Sequence, residues 1–217
     1  MKLIQLDKMS GAVADLQPSF ERLPKTNHKD GEFRLRRYSR IVLRTSFWNA
    51  EEKAEVERLA TKTFTQSEEL NAHQGGALRD FEQIENSALQ TVGFKEAALA
   101  YKKCFNLIDG QEVEVHQMRV ITKDLITHVA PEGVHQDGYK CIGMLGVNRY
   151  NITGGELLVY ELDNKEVPFV KYEIGIGDLW MMDDSKYRHN ATPIEAVDKD
   201  KLGSWDAFVF CAEKTKL

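Results

Sequence analysis

The run Glu112-Val-Glu-Val-His-Gln-Met-Arg-Val-Ile-Thr122 decides the fold, because its apolar residues alternate with polar ones instead of recurring every third or fourth position. Successive side chains of a strand point to opposite faces, so Val113, Val115, Gln117, Arg119 and Ile121 share one face and His116 lies beside it, pointing outward. Beyond Gly110 the chain keeps this strand-like texture. Residues 141–150, 156–162, 168–174, 179–183 and 205–212 read as strands, parted by Asn151-Ile-Thr-Gly-Gly155, Asp163-Asn164 and Gly175-Ile-Gly177-Asp178. About eight short strands with such turns predict a double-stranded β-helix, a jelly-roll or cupin-like core.

Upstream the texture differs. Residues 33–43 alternate imperfectly and read as a first strand. Asn49-Ala-Glu-Glu52 looks like an N-cap followed by an acidic first turn, and Ala54, Val56, Leu59, Ala60 and Phe64 then predict a helix. Gly75-Gly76 breaks that pattern, and residues 77–84 carry no clear period. A second helix is expected over 88–105, ended by Asn106 and Asp109-Gly110. Residues 1–30 are polar and turn-rich, an N-terminal extension ahead of a single domain over 31–217. The class is therefore mostly β with flanking helices (α+β), the N-terminal helices packed outside the sheet.

Composition narrows the partners. Apolar residues make up 42% and charged residues 29% of the 217, and no apolar run approaches the roughly 20 residues of a membrane span. Membrane partners are not expected, and without an apolar signal stretch a cytoplasmic location is the default. A net charge of −5 gives no electrostatic case for nucleic acid. The three cysteines are unpaired in spacing, against a disulfide framework or structural zinc. One basic stretch stands out, Arg34-Leu-Arg-Arg-Tyr-Ser-Arg40. It reads either as a strand with an outward cationic face or as part of a site for an anionic substrate group.

The chemistry centres on His135-Gln-Asp137. On a strand or its end, His135 and Asp137 point the same way, and His189 supplies a third ligand from another strand. Two imidazoles and a carboxylate on one face of an octahedral ion leave about three positions open, the pattern of non-haem Fe(II) oxygenases. The plain alternative is two histidines hydrogen-bonded in the core. His28, His73, His116 and His128 stand in no comparable setting.

Phe33-Arg-Leu-Arg-Arg-Tyr-Ser-Arg40, His116-Gln-Met-Arg-Val120, His135-Gln-Asp-Gly138, Asn148-Arg-Tyr-Asn-Ile-Thr-Gly-Gly-Glu156, Gly177-Asp-Leu179 and His189-Asn-Ala-Thr-Pro-Ile194 together carry a family likeness. In this order they resemble the Fe(II)/2-oxoglutarate dioxygenases of the bacterial L-isoleucine 4-hydroxylase type, over roughly residues 30–212. The resemblance implies a jelly roll using Fe(II), 2-oxoglutarate and O2, with His135, Asp137 and His189 as metal ligands. It implies hydroxylation of an unactivated carbon in a small molecule, often a free amino acid, while 2-oxoglutarate becomes succinate and CO2. Related halogenases carry a small residue in place of the aspartate, so Asp137 implies hydroxylation and not halogenation. Desaturation or cyclisation by the same enzyme class remains open.

In one place the chain departs from that pattern. The family has an arginine followed by aspartate near the start of the last strand, to hold the distal carboxylate of 2-oxoglutarate. This chain has Trp205-Asp206. Lys201, Arg149 and Arg119 are the candidate replacements; Lys201 also reads as part of a solvated loop, and the two arginines as grips for a substrate carboxylate or a structural acid. Trp205 keeps a third reading open, a non-catalytic cupin-like metal or ligand binder. Gln117, Tyr139, Asn151, Glu156 and Trp180 are weaker pocket candidates. Asp183-Asp184 reads as a strand-end turn, or as an orienter of His189.

Overall fold

The computed structural model describes residues 4–9, 11–71 and 73–215. Its strands are β1 (Ile4–Lys8), β2 (Arg34–Trp48), β3 (Glu51–Arg58), β4 (Gln111–Thr122), β5 (Tyr139–Tyr150), β6 (Ile152–Gly154), β7 (Leu157–Glu161), β8 (Val170–Tyr172), β9 (Asp178–Asp183), β10 (Tyr187–Ala191), β11 (Ile194–Ala196) and β12 (Gly203–Lys214). The helices are α1 (Gln17–Phe20), α2 (Asn86–Leu89) and α3 (Val92–Cys104), with a 3-10 segment at Gly11–Leu16.

β4, the strand legible from its alternation, sits well inside an antiparallel seven-stranded sheet ordered β1-β9-β5-β12-β4-β2-β3. A smaller sheet, β10-β7-β8, and the pair β11-β6 complete a curled, mostly β jelly-roll architecture. The period of two divides β4 as expected. Val113 and Val115 join a core that includes Leu16, Phe20, Phe94, Phe208 and Phe210, under the helices. Met118 and Val120 face a second core with Met144, Val159, Trp180 and Trp205, between the large and small sheets.

α3 covers the first face because Phe94, Ala97, Ala98 and Tyr101 recur along one side, all buried. Thr91 caps it, accepting from the Phe94 backbone N–H at 3.2 Å. Gly93 permits the close approach to the 3-10 segment, where a Cβ would lie 2.5 Å from the Ala12 carbonyl oxygen. No helix among the described residues is long and apolar enough to cross a membrane.

Two upstream expectations fail. The segment expected to be helical after Asn49 is β3, whose buried residues Ala54 and Val56 alternate with exposed Lys53, Glu55 and Glu57. Asn49 and Ala50, at φ 50° and 64°, form the turn of the β2–β3 hairpin instead of a helix N-terminus. The second correction concerns residues 4–20, read as part of an irregular extension. β1 pairs with β9 along Ile4↔Met182 to Lys8↔Asp178, while Val13, Leu16 and Phe20 enter the main core. The second expected helix is present in two pieces, α2 and α3, parted at Gln90-Thr91.

Candidate metal centre

His135 and His189 are joined by their own backbones. His135, ahead of β5, forms an antiparallel bridge with His189 of β10, the His135 N–H donating to the His189 carbonyl at 3.0 Å and the reverse bond at 2.9 Å. Both rings therefore leave the backbone at one level, 4.4 Å apart centroid to centroid. Asp137, two residues on from His135, meets them: its Oδ1 lies 3.4 Å from His135 Nε2 and its Oδ2 3.5 Å from His189 Nε2. One potential ligand atom from each residue lies within 4.8 Å of the others.

The opposite ring nitrogens are occupied. His135 Nδ1 is 2.8 Å from the Gly133 carbonyl, and His189 Nδ1 is 3.0 Å from Asp184 Oδ1. The other Asp184 oxygen accepts from the Asp137 backbone N–H at 2.7 Å. Asp184 thus holds two members of the triad at once, and Asp183-Asp184 also opens the turn that ends β9, so both readings of the pair describe it. Anchoring Nδ1 directs both Nε2 atoms into the cluster, as a metal-binding imidazole requires. Burial works against charge at His189, yet its contacts with Asp137 and Asp184 outweigh burial and push its pKa up to about 10. The same imidazoles hold the Asp137 carboxyl well below its usual range despite burial. Two nitrogens and a carboxylate converging with their outer sides fixed is a donor set suited to Fe(II).

The triad lines a cavity of about 780 Å³, counting its open mouth. Met118, Val129, Met144, Leu157 and Trp205 give it apolar walls; Arg34, Arg36, His116, Glu132, Tyr139 and Asn190 supply polar groups. Of the weaker sequence candidates, Tyr139 is brought here. Gln117 points the other way and donates to Ser19 Oγ at 2.7 Å. Asn151 holds the 198–202 loop through carbonyls, Glu156 accepts from Lys171, and Trp180 stacks on Tyr172. His116, expected to point outward, is buried between Tyr38 and Phe64 because β2 and the 64–81 segment cover it. Burial drives its pKa well below 6.5, so it stands neutral.

None of the three cations named from the sequence lines the cavity. Arg119 is on the helix-covered face, gripped by Asp206 at 2.6 and 2.8 Å and by Glu21 at 2.7 Å. Lys201 is exposed and paired with Asp198 at 2.8 Å. Arg149 donates to the Gly154 carbonyl at 2.6 Å and to Glu173 at 2.9 Å. The basic groups at the cavity come instead from β2. Arg34 pairs with Asp30 and Glu132, each at 2.9 Å. Arg36 has no carboxylate partner among the described residues. Imperfect alternation over 33–43 hid which of these arginines faced inward.

Solved structures share this architecture. A BsmA homologue from Methylobium petroleophilum PM1 superposes with a TM-score of 0.76 at 21% identity, covering 95% of this chain and 83% of the other. IDO from Bacillus thuringiensis gives 0.69 at 17% identity over 94% and 83%. The Fe(II)/α-ketoglutarate-dependent dioxygenase TqaL gives 0.64 at 16% over 95% and 76%. At these identities the likeness establishes the fold. No curated protein matches the chain significantly. The profile of the 2OG-Fe dioxygenase family matches residues 17–211, nearly the whole chain, and the protein therefore belongs to that family of iron- and 2-oxoglutarate-dependent oxygenases.

Proposed function

We propose that His135, Asp137 and His189 hold Fe(II), and that the enzyme hydroxylates an unactivated carbon of a free L-amino acid or a similar small metabolite. The observation that carries the reading is the placement of the triad in a cavity of about 780 Å³ with mainly apolar walls. Apolar walls around a few convergent polar groups are the make-up of a small-molecule site. Iron, when bound, supplies oxygen activation coupled to decarboxylation of 2-oxoglutarate.

The protein's share is placement and shielding. Asp184 and the Gly133 carbonyl fix the imidazoles, and the apolar wall of Met118, Met144, Leu157 and Trp205 keeps water from the reacting carbon. Asn190, Gln66 and the neutral His116 are among the polar groups that line the cavity and could orient a substrate.

Anaerobic protein loaded with Fe(II), then given 2-oxoglutarate, O2 and a panel of free L-amino acids, should release succinate in step with one product. Mass spectrometry should show that product heavier by one oxygen. Loss of two hydrogens would indicate desaturation or cyclisation, and no substrate-coupled succinate across the panel would refute the amino acid reading.

A further inference from the structure

Arg36 has the makings of a ligand-binding cation. Its residue is 8% exposed, yet its recorded contacts are the Met118 sulfur, 3.4 Å from Nη2, and the Phe81 ring, 5.5 Å from Cζ. A thioether is a weak acceptor and a ring face offers only partial compensation. Two residues earlier on the same face of β2, Arg34 also lines the cavity, but it takes the direct contacts of Asp30 and Glu132, which reach Arg36 only through space. Burial, with Arg34 adding repulsion, pushes the Arg36 pKa down to about 9. A buried guanidinium without a hydrogen-bonded carboxylate is costly to maintain.

The sheet register shows what Arg36 faces. Trp205, Val120 and Arg34 form one cross-strand row, and Ala207, Met118 and Arg36 the next, all on the cavity side. The last strand therefore brings an indole and a methyl group, and no cation, to this wall. Lys201, Arg149 and Arg119 are spent elsewhere. Charge balance points the same way. Asp137 and the chelating carboxylate of a 2-oxo acid would match the two charges of Fe(II), leaving a second carboxylate to be met by the one unpaired guanidinium lining the cavity among the described residues.

We infer that Arg36 binds the distal carboxylate of 2-oxoglutarate, a task transferred across the sheet from the last strand to β2. This rests on the reading of the triad as the Fe(II) site. It makes Arg36 the residue that selects a dicarboxylic over a monocarboxylic 2-oxo acid.

The test is anaerobic titration of the Fe(II) protein with 2-oxoglutarate and with 2-oxovalerate, which keeps the chelating end and lacks the second carboxylate, followed by the visible charge-transfer band. Wild-type protein should prefer 2-oxoglutarate. Arg36→Met should weaken 2-oxoglutarate by about 10- to 100-fold, the worth of hydrogen bonds to a charged group, and leave 2-oxovalerate unchanged; Arg36→Lys should fall between. Equal loss for both acids, or loss for neither, overturns the assignment. Should Arg36→Met fail to fold, equal affinity of the wild type for the two acids overturns it as well. A wild type that chelates neither acid refutes the Fe(II) site itself, a distinct result.

Discussion

Arg36 and Arg119 are near neighbours in the sheet with opposite fates. In the β2–β4 register Leu35 stands opposite Arg119 and Arg36 opposite Met118, so one step along the strand sends the two guanidiniums to opposite faces. Arg119 enters the helix-covered side and meets Asp206 and Glu21 from two different elements. Arg36 enters the cavity side and meets a sulfur and a ring. Both are largely buried, so burial does not separate them. Arg119, which braces the fold, has its carboxylates beside it, whereas Arg36, proposed to meet a ligand, has none in direct contact among the described residues.

The sharpest way to break this comparison is at the metal, where the cavity face acquires its purpose. Asp137→Ala or His135→Ala should abolish stoichiometric Fe(II) binding, followed by anaerobic metal titration, while far-UV circular dichroism stays unchanged. Unaltered affinity in both variants would show that the cavity is not a metal site.

On the opposite face the expected effect is on stability. Arg119→Met leaves the fully buried Asp206 without its main partner and should cost about 3–5 kcal/mol in urea unfolding at neutral pH. Burial already outweighs Arg119 and raises the Asp206 pKa. A carboxyl with a raised folded-state pKa binds protons more tightly when native, so its contribution to stability falls as pH rises through that pKa. Without Arg119 the pKa rises further, and the deficit of the variant should shrink as pH is lowered from neutral. A deficit independent of pH would mean that lost packing, not an orphaned charge, is responsible.

Two smaller effects sharpen the contrast. Asp184→Asn leaves one acceptor oxygen for the two donors that Asp184 meets, His189 Nδ1 and the Asp137 N–H, and removes its charge, and should lower Fe(II) affinity about 10- to 100-fold with the fold intact. Lys201→Ala, which cuts an exposed and solvent-screened pair, should leave both stability and 2-oxoglutarate affinity where they were. A large loss of co-substrate affinity there would return the distal-carboxylate role to the last-strand loop and undercut Arg36.

What could be read from the sequence followed from local periodicity. β4 and the strands after it announce themselves by alternation and turn residues, and the spacing within His135-Gln-Asp137 is a strand-end geometry in itself. β3 reads as a helix in the sequence because Ala54 and Val56 satisfy a short stretch of either period; pairing with Leu43 and Thr45 across the turn decides it. β1 exists as a strand through its partner β9, a contact between opposite ends of the chain. The cation at the cavity was similarly hidden. Arg34, Arg36 and Arg37 crowd one strand, and which face each takes depends on the strands laid beside it, while Arg119 looked available only until Asp206 and Glu21 were brought up to it.

The bridge between His135 and His189 has a thermodynamic consequence. Two of the three residues proposed to hold the metal are already tied by reciprocal backbone hydrogen bonds of 3.0 and 2.9 Å, so loading the site would order little additional chain. Iron then acts on stability by mass action: the melting temperature should rise with the logarithm of free metal over its dissociation constant. Chelation should leave a single cooperative transition at lower temperature, and a folded, resting protein ready to be reloaded.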